Sequence, residues 1–199
     1  MSCVYYVNSF TLSGSKMKKW KKLKTDRVFN HKYFKVNKDL VELPDGRQID
    51  WLYWDSKDSA MVVPITSDNK LVMIRQYRYL PDKLALEFPS GHGDENESVE
   101  ACAKRELEEE TGYGCEELIP LGAFFETMGQ LNRKIHIFLG INATKLDKPT
   151  RKTDENEQIK TALIELDKVA EMVADGEIIS MGSSLAVLLA QRYIDKHYA

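Results

Sequence analysis

Cysteine is scarce in this chain. Three occur in 199 residues, Cys3, Cys102 and Cys115, an odd number, widely spaced and without a CxxC pair. That pattern argues against a disulfide scaffold and against a thiolate zinc site, and places the expected protein in the reducing cytoplasm. Long apolar runs are missing too: nothing approaches the roughly 20 residues that cross a bilayer. The start, Met1-Ser-Cys-Val-Tyr-Tyr, lacks the charged head, apolar centre and small-residue cleavage site of a secretory signal. Nor is there an excess of positive charge. Lys and Arg number 28 against 31 Asp and Glu, a net charge of -3, so the chain has no general attraction to nucleic acid. The one basic cluster, Lys16, Lys18, Lys19, Lys21, Lys22 and Lys24, reads as a solvated strand or loop face. What is present is a globular composition, 43% hydrophobic and 30% charged, long enough for one sizeable core. Neither a nucleic-acid nor a membrane partner is expected.

Residues 1–56 alternate short β-favouring runs with turns: Val4-Tyr-Tyr-Val, Ser13-Gly-Ser, Arg27-Val-Phe and Tyr33-Phe-Lys-Val. Leu43-Pro-Asp-Gly46 is a turn between two strands, the second Gln48-Ile-Asp-Trp-Leu-Tyr-Trp54. These strands are short and aromatic, so this N-terminal β subdomain is expected to lean on the main domain or a second subunit. The main domain, 57–199, opens with two buried strands, Met61–Thr66 and Leu71–Tyr77. A short strand Leu84–Phe88 follows, ended at Pro89-Ser-Gly91 where the backbone must turn. Leu118–Phe125 and Lys134–Gly140 are further strands, joined by a loop over Glu126–Arg133. A long polar loop covers 142–156 and carries Asp154-Glu-Asn-Glu157; such loops tend to be functional or mobile. Ile159–Leu166 predicts a strand and Asp167–Gly176 a short helix capped at its start. Ser183–His197 predicts an amphipathic helix with Leu185, Leu188, Leu189 and Tyr193 on one side. Mixed strands with few helices indicate an α+β or layered αβα domain.

One stretch has its acids in the wrong place for a surface helix. From Ser98, a cap, to Gly112, a stop, the sequence is an acidic helix. At about 100° per residue from Val99, Cys102, Ala103 and Leu107 fall at roughly 300°, 40° and 80° and form an apolar stripe. Cys102 then packs as a small hydrophobe. Glu106 and Glu110 fall inside that stripe, at roughly 340° and 20°, with Glu109 beside it and Glu108 pointing away. Carboxylates on a buried face need a raised pKa or a cation with oxygen ligands, and converging acids favour the cation. If the turn after Phe88 reaches the helix start, the Ser90 carbonyl can join Glu106 and Glu110 around one ion. Hard oxygen donors suit magnesium or manganese better than zinc. Arg105 would be held by Glu97 or Glu109. A divalent ion with open positions is the usual apparatus for attack on a phosphate.

The spacing Gly91, five residues, Glu97, seven residues, Arg105-Glu106-Leu107-Glu108-Glu109-Glu110-Thr111-Gly112, then Tyr113, resembles the Nudix box of the Nudix hydrolases. With residue frequencies of about 7%, seven matched positions arise by chance on the order of once in 10⁸ windows. Tyr113 stands where the family usually has an aliphatic residue. The likeness runs from about Ala60 to Ile179. Arg75-Gln-Tyr-Arg-Tyr, Leu86-Glu-Phe-Pro-Ser-Gly91, Lys134-Ile-His-Ile-Phe-Leu and Asp154-Glu-Asn-Glu157 resemble the ADP-ribose pyrophosphatase branch.

That resemblance implies a Nudix-type αβα sandwich with a mixed sheet, magnesium-dependent cleavage of nucleoside diphosphate sugars, and a homodimer built through N-terminal β subdomains. It implies Glu106 and Glu110 as metal ligands with the Ser90 carbonyl, and Glu109 as a further ligand or supporting acid. Glu155 would be the water-activating base, with Glu106 as a rival; Glu157 would be a metal ligand or alternative base. Arg78 would contact phosphate and Trp51 would stack on the nucleobase. One departure bears on substrate: relatives commonly carry a proline where this chain has Met128. That leaves other nucleotide sugars and dinucleotides open beside ADP-ribose. A non-catalytic nucleotide-sensing module is the alternative from another class, although such modules often lose box acids and this chain keeps them all.

Overall fold

The computed structural model describes residues 18–149 and 158–197. The expectations for Cys3, Val4–Val7, Ser13–Ser15 and Lys16, and for Glu155 and Glu157, fall outside the described residues. The chain divides into two compact units, Met1–Leu52 and Tyr53–Ala199, and each is described by itself.

In the first unit, β1 (Lys21–Asn30), β2 (Lys35–Glu42) and β3 (Gln48–Trp54) form one sheet in that order. The Leu43–Gly46 turn forms as expected: Gly46 takes φ +87°, a conformation that suits glycine, and the Leu43 N–H donates to Arg47 O at 2.8 Å. Thr25 donates to Asp39 at 2.6 Å across the β1–β2 pair. Leu23, Val28 and Phe29 of β1, and Trp51 and Leu52 of β3, are exposed. The sheet therefore displays large apolar side chains that three strands cannot cover by themselves.

At the start of the second unit, residues 54–56 bond to the loop that carries Gln130 and Asn132. Trp54 N–H donates to Gln130 O at 2.7 Å, Asn132 Nδ2 donates to Asp55 at 2.7 Å, and the Ser56 N–H donates to Asn132 at 2.9 Å. The strands that follow are β4 (Ser59–Pro64), β5 (Lys70–Arg78), β6 (Lys83–Glu87) and β7 (Ser90–His92), leading into α1 (Val99–Thr111). Then come β8 (Tyr113–Gly114), β9 (Glu117–Phe125), β10 (Lys134–Ile141), β11 (Thr144–Lys145) and β12 (Ile159–Glu165), and finally α2 (Val169–Ala174) and α3 (Met181–His197). One sheet has the order β7-β4-β10-β9, mixed because β4 and β10 run parallel while the other pairs are antiparallel. A second has the order β12-β5-β6, and β8 pairs with β11.

Every residue of β4 is buried, which fits a strand covered on both faces. Its alternation sorts the cores. Ala60 and Val62, with Phe138 of β10, pack against Cys102, Ala103 and Leu107 of α1. Met61 and Val63, with Ile135, Ile137 and Leu139, face the other way, into a larger core with Leu71, Met73, Phe88, Val169, Ala186, Val187 and Ala190. The result is a layered α+β unit with a mixed sheet at its centre.

Several local expectations give way. Ser90–His92 is not merely a turn but a short edge strand, because Met61, Ala60 and Ser59 offer it a pairing register. The 142–156 region is not all loop: Thr144 and Lys145 pair with Gly114 and Tyr113. The α2 cap position is Lys168, with no side-chain cap bond, rather than Asp167. On α3, Leu185, Leu189 and Tyr193 pack against the core as expected, but Leu188 is exposed and the most buried positions are Ser183, Ala186, Val187 and Ala190. The acidic helix behaves as expected. Ser98 accepts from the Ala101 N–H at 3.1 Å, and Gly112 ends the helix at φ +67° with its N–H donating to Glu108 O at 2.8 Å. Gly112→Ala is expected to lose about 1–2 kcal/mol through the left-handed backbone it must keep, read as a lowered urea midpoint at unchanged slope.

Candidate active site

The site is built where α1 meets the edge strand β7. α1 places Glu106 and Glu110 on its packed side, both buried at 9% exposure. The Ser90 N–H, free of the sheet because β7 is an edge strand, donates to Glu110 Oε2 at 2.9 Å. Gly91 follows, and its missing side chain is what lets the helix in: a Cβ there would lie 2.1 Å from Glu106 Oε1. The glycine is required here by close approach rather than by φ.

Arg105 ties these parts together. It is 10% exposed, and its guanidinium donates to Glu97 through Nε and Nη2, both at 3.0 Å, to Glu106 at 2.7 Å and to Glu109 at 2.9 Å. A further bond, from Nη2 to His92 O at 2.8 Å, anchors β7 to the same group. Both expected partners, Glu97 and Glu109, are therefore engaged, with Glu106 added. The bonds to Glu97, opposed by burial and reinforced by Glu106, raise the already high pKa of Arg105, so its charge is permanent. Cys102 packs beneath, as expected for a small hydrophobe; burial, then the Glu106 charge, pushes its thiol up to about 11.

Beside this junction is a cavity of about 500 Å³ lined by Ser90, Gly91, Glu106 and Glu110, together with Arg78, Glu87, His92, Glu126 and Arg133. Arg78 lines the cavity and is paired with Glu87, Nε to Oε1 at 3.1 Å and Nη2 to Oε2 at 2.6 Å. Arg133 donates to Glu126 at 2.5 Å and meets the His92 ring. His92 is open to solvent on one side and crowded on the other; that partial burial, then the Arg133 charge, lowers its pKa. Glu87, Glu126, Arg133 and His92 were missed in the sequence. His92 shares a face with Ser90 because the two are two apart on β7, an alternation that shows only once the strand is paired with β4. Nothing local marks the other three.

Of the remaining expected residues, Met128 lies in the second unit, Trp51 in the first, and the other two outside the described residues. Met128 sits in the turn after β9 and is 85% exposed. Trp51, in the first unit, is 38% exposed and meets Trp20 edge-on at 5.5 Å. Glu155 and Glu157 lie outside the described residues.

Comparison with known proteins decides the family. The Nudix domain model matches residues 55–182, and the model of the nucleoside diphosphate sugar hydrolase N-terminal domain matches residues 20–53. The chain belongs to the Nudix hydrolases. Among relatives, a methanol dehydrogenase activator from Bacillus methanolicus is 31% identical over 171 residues, 86% of this chain and 92% of that one. An ADP-ribose pyrophosphatase from Bacillus subtilis is 27% identical over the same shares. The crystal structure of an ADP compounds hydrolase superposes with a TM-score of 0.82 at 22% identity, over 93% of this chain and 99% of that one; it establishes the likeness of fold.

Nudix hydrolases as a family depend on divalent metal, and the donor chemistry of this one fits a hard cation. The two buried carboxylates offer oxygen alone, beside the Gly91 backbone where a Cβ would meet the Glu106 carboxylate. Among the described residues, no three His, Cys, Asp or Glu side chains are grouped so as to hold an ion by themselves. Gly91→Ala in this Nudix hydrolase is expected to displace the Glu106 carboxylate and lower turnover at least about 100-fold. Its melting temperature should fall only a few degrees, because the clash meets a side-chain end. Thermal melts beside activity assays check the split.

Proposed function

We propose that the protein is a magnesium- or manganese-dependent pyrophosphatase acting on nucleoside diphosphate sugars such as ADP-ribose. Water adds across the P–O–P link, one phosphorus–oxygen bond breaks, and a nucleoside monophosphate and a sugar phosphate leave. The observation that carries this reading is the pair of buried glutamates, Glu106 and Glu110, held against Ser90 and Gly91 at the wall of a cavity that also contains Arg78. The metal, when bound, offsets diphosphate charge and activates water.

The chain's own residues do the rest. Glu106 and Glu110, with the Ser90 carbonyl, are the proposed ligands, and Glu109 supports them or adds a ligand. Arg105 fixes the carboxylates in place, since one guanidinium spans Glu97, Glu106 and Glu109. Arg78, oriented by Glu87, takes a phosphate oxygen. Glu155 accepts the proton from the attacking water and Glu157 assists at the metal; both assignments rest on the family resemblance. Trp51 takes the nucleobase on the same ground, and Met128 borders the substrate where relatives carry proline. Reduced cysteines fit a cytoplasmic enzyme, and among the described residues no helix is long and apolar enough to cross a membrane. The exposed apolar residues of β1 and β3 support a homodimer assembled through the N-terminal subdomain, residues 1–56.

Glu110→Gln is expected to abolish turnover with the melting temperature preserved, since the amide keeps its volume and can still accept from the Ser90 N–H. Wild-type turnover in that variant would remove this carboxylate from the mechanism. A panel of nucleotide sugars, dinucleotides and nucleoside triphosphates with magnesium names the substrate; binding without product release from any of them would replace the enzyme with a nucleotide sensor. Sedimentation at micromolar concentration should give twice the chain mass, and a monomer would refute the dimer.

A further inference from the structure

Arg133 occupies a position that the ladder of β9 and β10 specifies. Their pairing closes with Lys134 opposite Phe125, so Arg133 stands across from Glu126 at the open end, and the two clamp the neck of the turn that carries Met128. The guanidinium is 12% exposed and is held on three sides. Its Nε donates to Glu126 Oε2 at 2.5 Å, its Cζ lies 5.4 Å from the centre of the Trp54 ring, and Nη1 meets His92 Nε2. His92 is held at its other end by Arg105, through the backbone oxygen. Strand alternation places His92 on the same face of β7 as Ser90, about 7 Å along the strand. Arg133 is thus fixed beside the metal-binding edge in the same cavity.

The two cavity arginines differ in what they have left to give. Arg78 spends two donors on Glu87 in a fork-to-fork pair. Arg133 spends one donor on Glu126 and directs one at His92. Among the described residues, its other three N–H groups make no further hydrogen bond. A guanidinium already ordered by an ion pair and an aromatic face loses little entropy on taking a ligand oxygen. A purely structural role at the hairpin neck would need only the Glu126 bond.

We propose that Arg133 is a specificity-determining residue that takes a non-bridging oxygen of the substrate's diphosphate, on the phosphate farther from the Glu106–Glu110 edge. Resting on the proposed function, this makes the cavity select for two linked phosphates over one: one is held at the carboxylate edge, the other by Arg133. The test measures binding of inorganic pyrophosphate and of inorganic phosphate, each with magnesium, by calorimetry on the full chain. Arg133→Ala should weaken pyrophosphate binding at least about ten-fold, the loss expected for a charged hydrogen bond, and leave phosphate binding within about two-fold. With a nucleotide sugar, KM should rise while kcat changes less. Arg133→Lys keeps the ion pair with Glu126 and loses the fork; it should melt like wild type and fall between the two, and it carries the test if the alanine variant does not fold. Equal pyrophosphate affinity in wild type and both variants, or equal losses for the two anions, would overturn the assignment. Lack of turnover by wild type on every nucleotide sugar counts against the proposed function alone, since the binding ratio is read without catalysis.

Discussion

Two carboxylates on the inner side of a helix are an electrostatic liability, and the architecture around α1 follows from holding them there. Glu106 and Glu110 sit among Cys102, Ala103 and Leu107, in a medium that opposes charge. Arg105 answers Glu106, and the unsatisfied edge of β7 answers Glu110 through the Ser90 N–H. Since Arg105 also binds Glu97, Glu109 and the His92 backbone, one permanent cation sets the spacing of loop, strand and helix together. Deleting one member of such a buried cluster leaves the others uncompensated, a loss of about 3–5 kcal/mol. A surface pair contributes far less.

The edge position of β7 has a second consequence. A central strand has both sides spent on its neighbours, whereas this one keeps backbone groups available for a carboxylate on one flank. Its alternating side chains deliver Ser90 and His92 to the cavity while Gly91 faces the helix. Three consecutive residues thus bind the Glu110 carboxylate, admit the helix and line the cavity beside Arg133. The adjoining wall comes from the ends of β5, β6, β9 and β10, where Arg78 meets Glu87 and Arg133 meets Glu126. Each arginine is oriented by a glutamate, so the cavity presents directed donors and not loose positive charge.

The parts of this arrangement that were legible in the sequence are local. Ser98 and Gly112 bound α1 because capping and left-handed backbone are properties of a few adjacent residues. The burial of Glu106 and Glu110 could be read from the helical period against Cys102, Ala103 and Leu107. The strands β4, β5, β9 and β10 could be read from their apolar runs. What failed is equally physical. On α3, Leu185, Leu189 and Tyr193 do pack against the core as their spacing indicates, but Leu188 is exposed and the most buried positions are Ser183, Ala186, Val187 and Ala190, whose burial depends on the neighbouring layer. β7, β8 and β11 are two or three residues long and exist only because a partner strand lies beside them; no periodicity can form over such a length.

By itself the sequence determined the chemistry of one helix and one turn: glycine, arginine and glutamates at a spacing that converges on the start and inner side of α1. Covalent neighbours and a helical pitch suffice for that. Tertiary structure alone decided which distant residues share the cavity. Glu87 meets Arg78 across nine residues, Glu126 meets Arg133 across seven, and Arg133 meets His92 across forty-one. These meetings depend on strand register and sheet order, which arise from the packing of whole layers and leave no mark on any single stretch of chain.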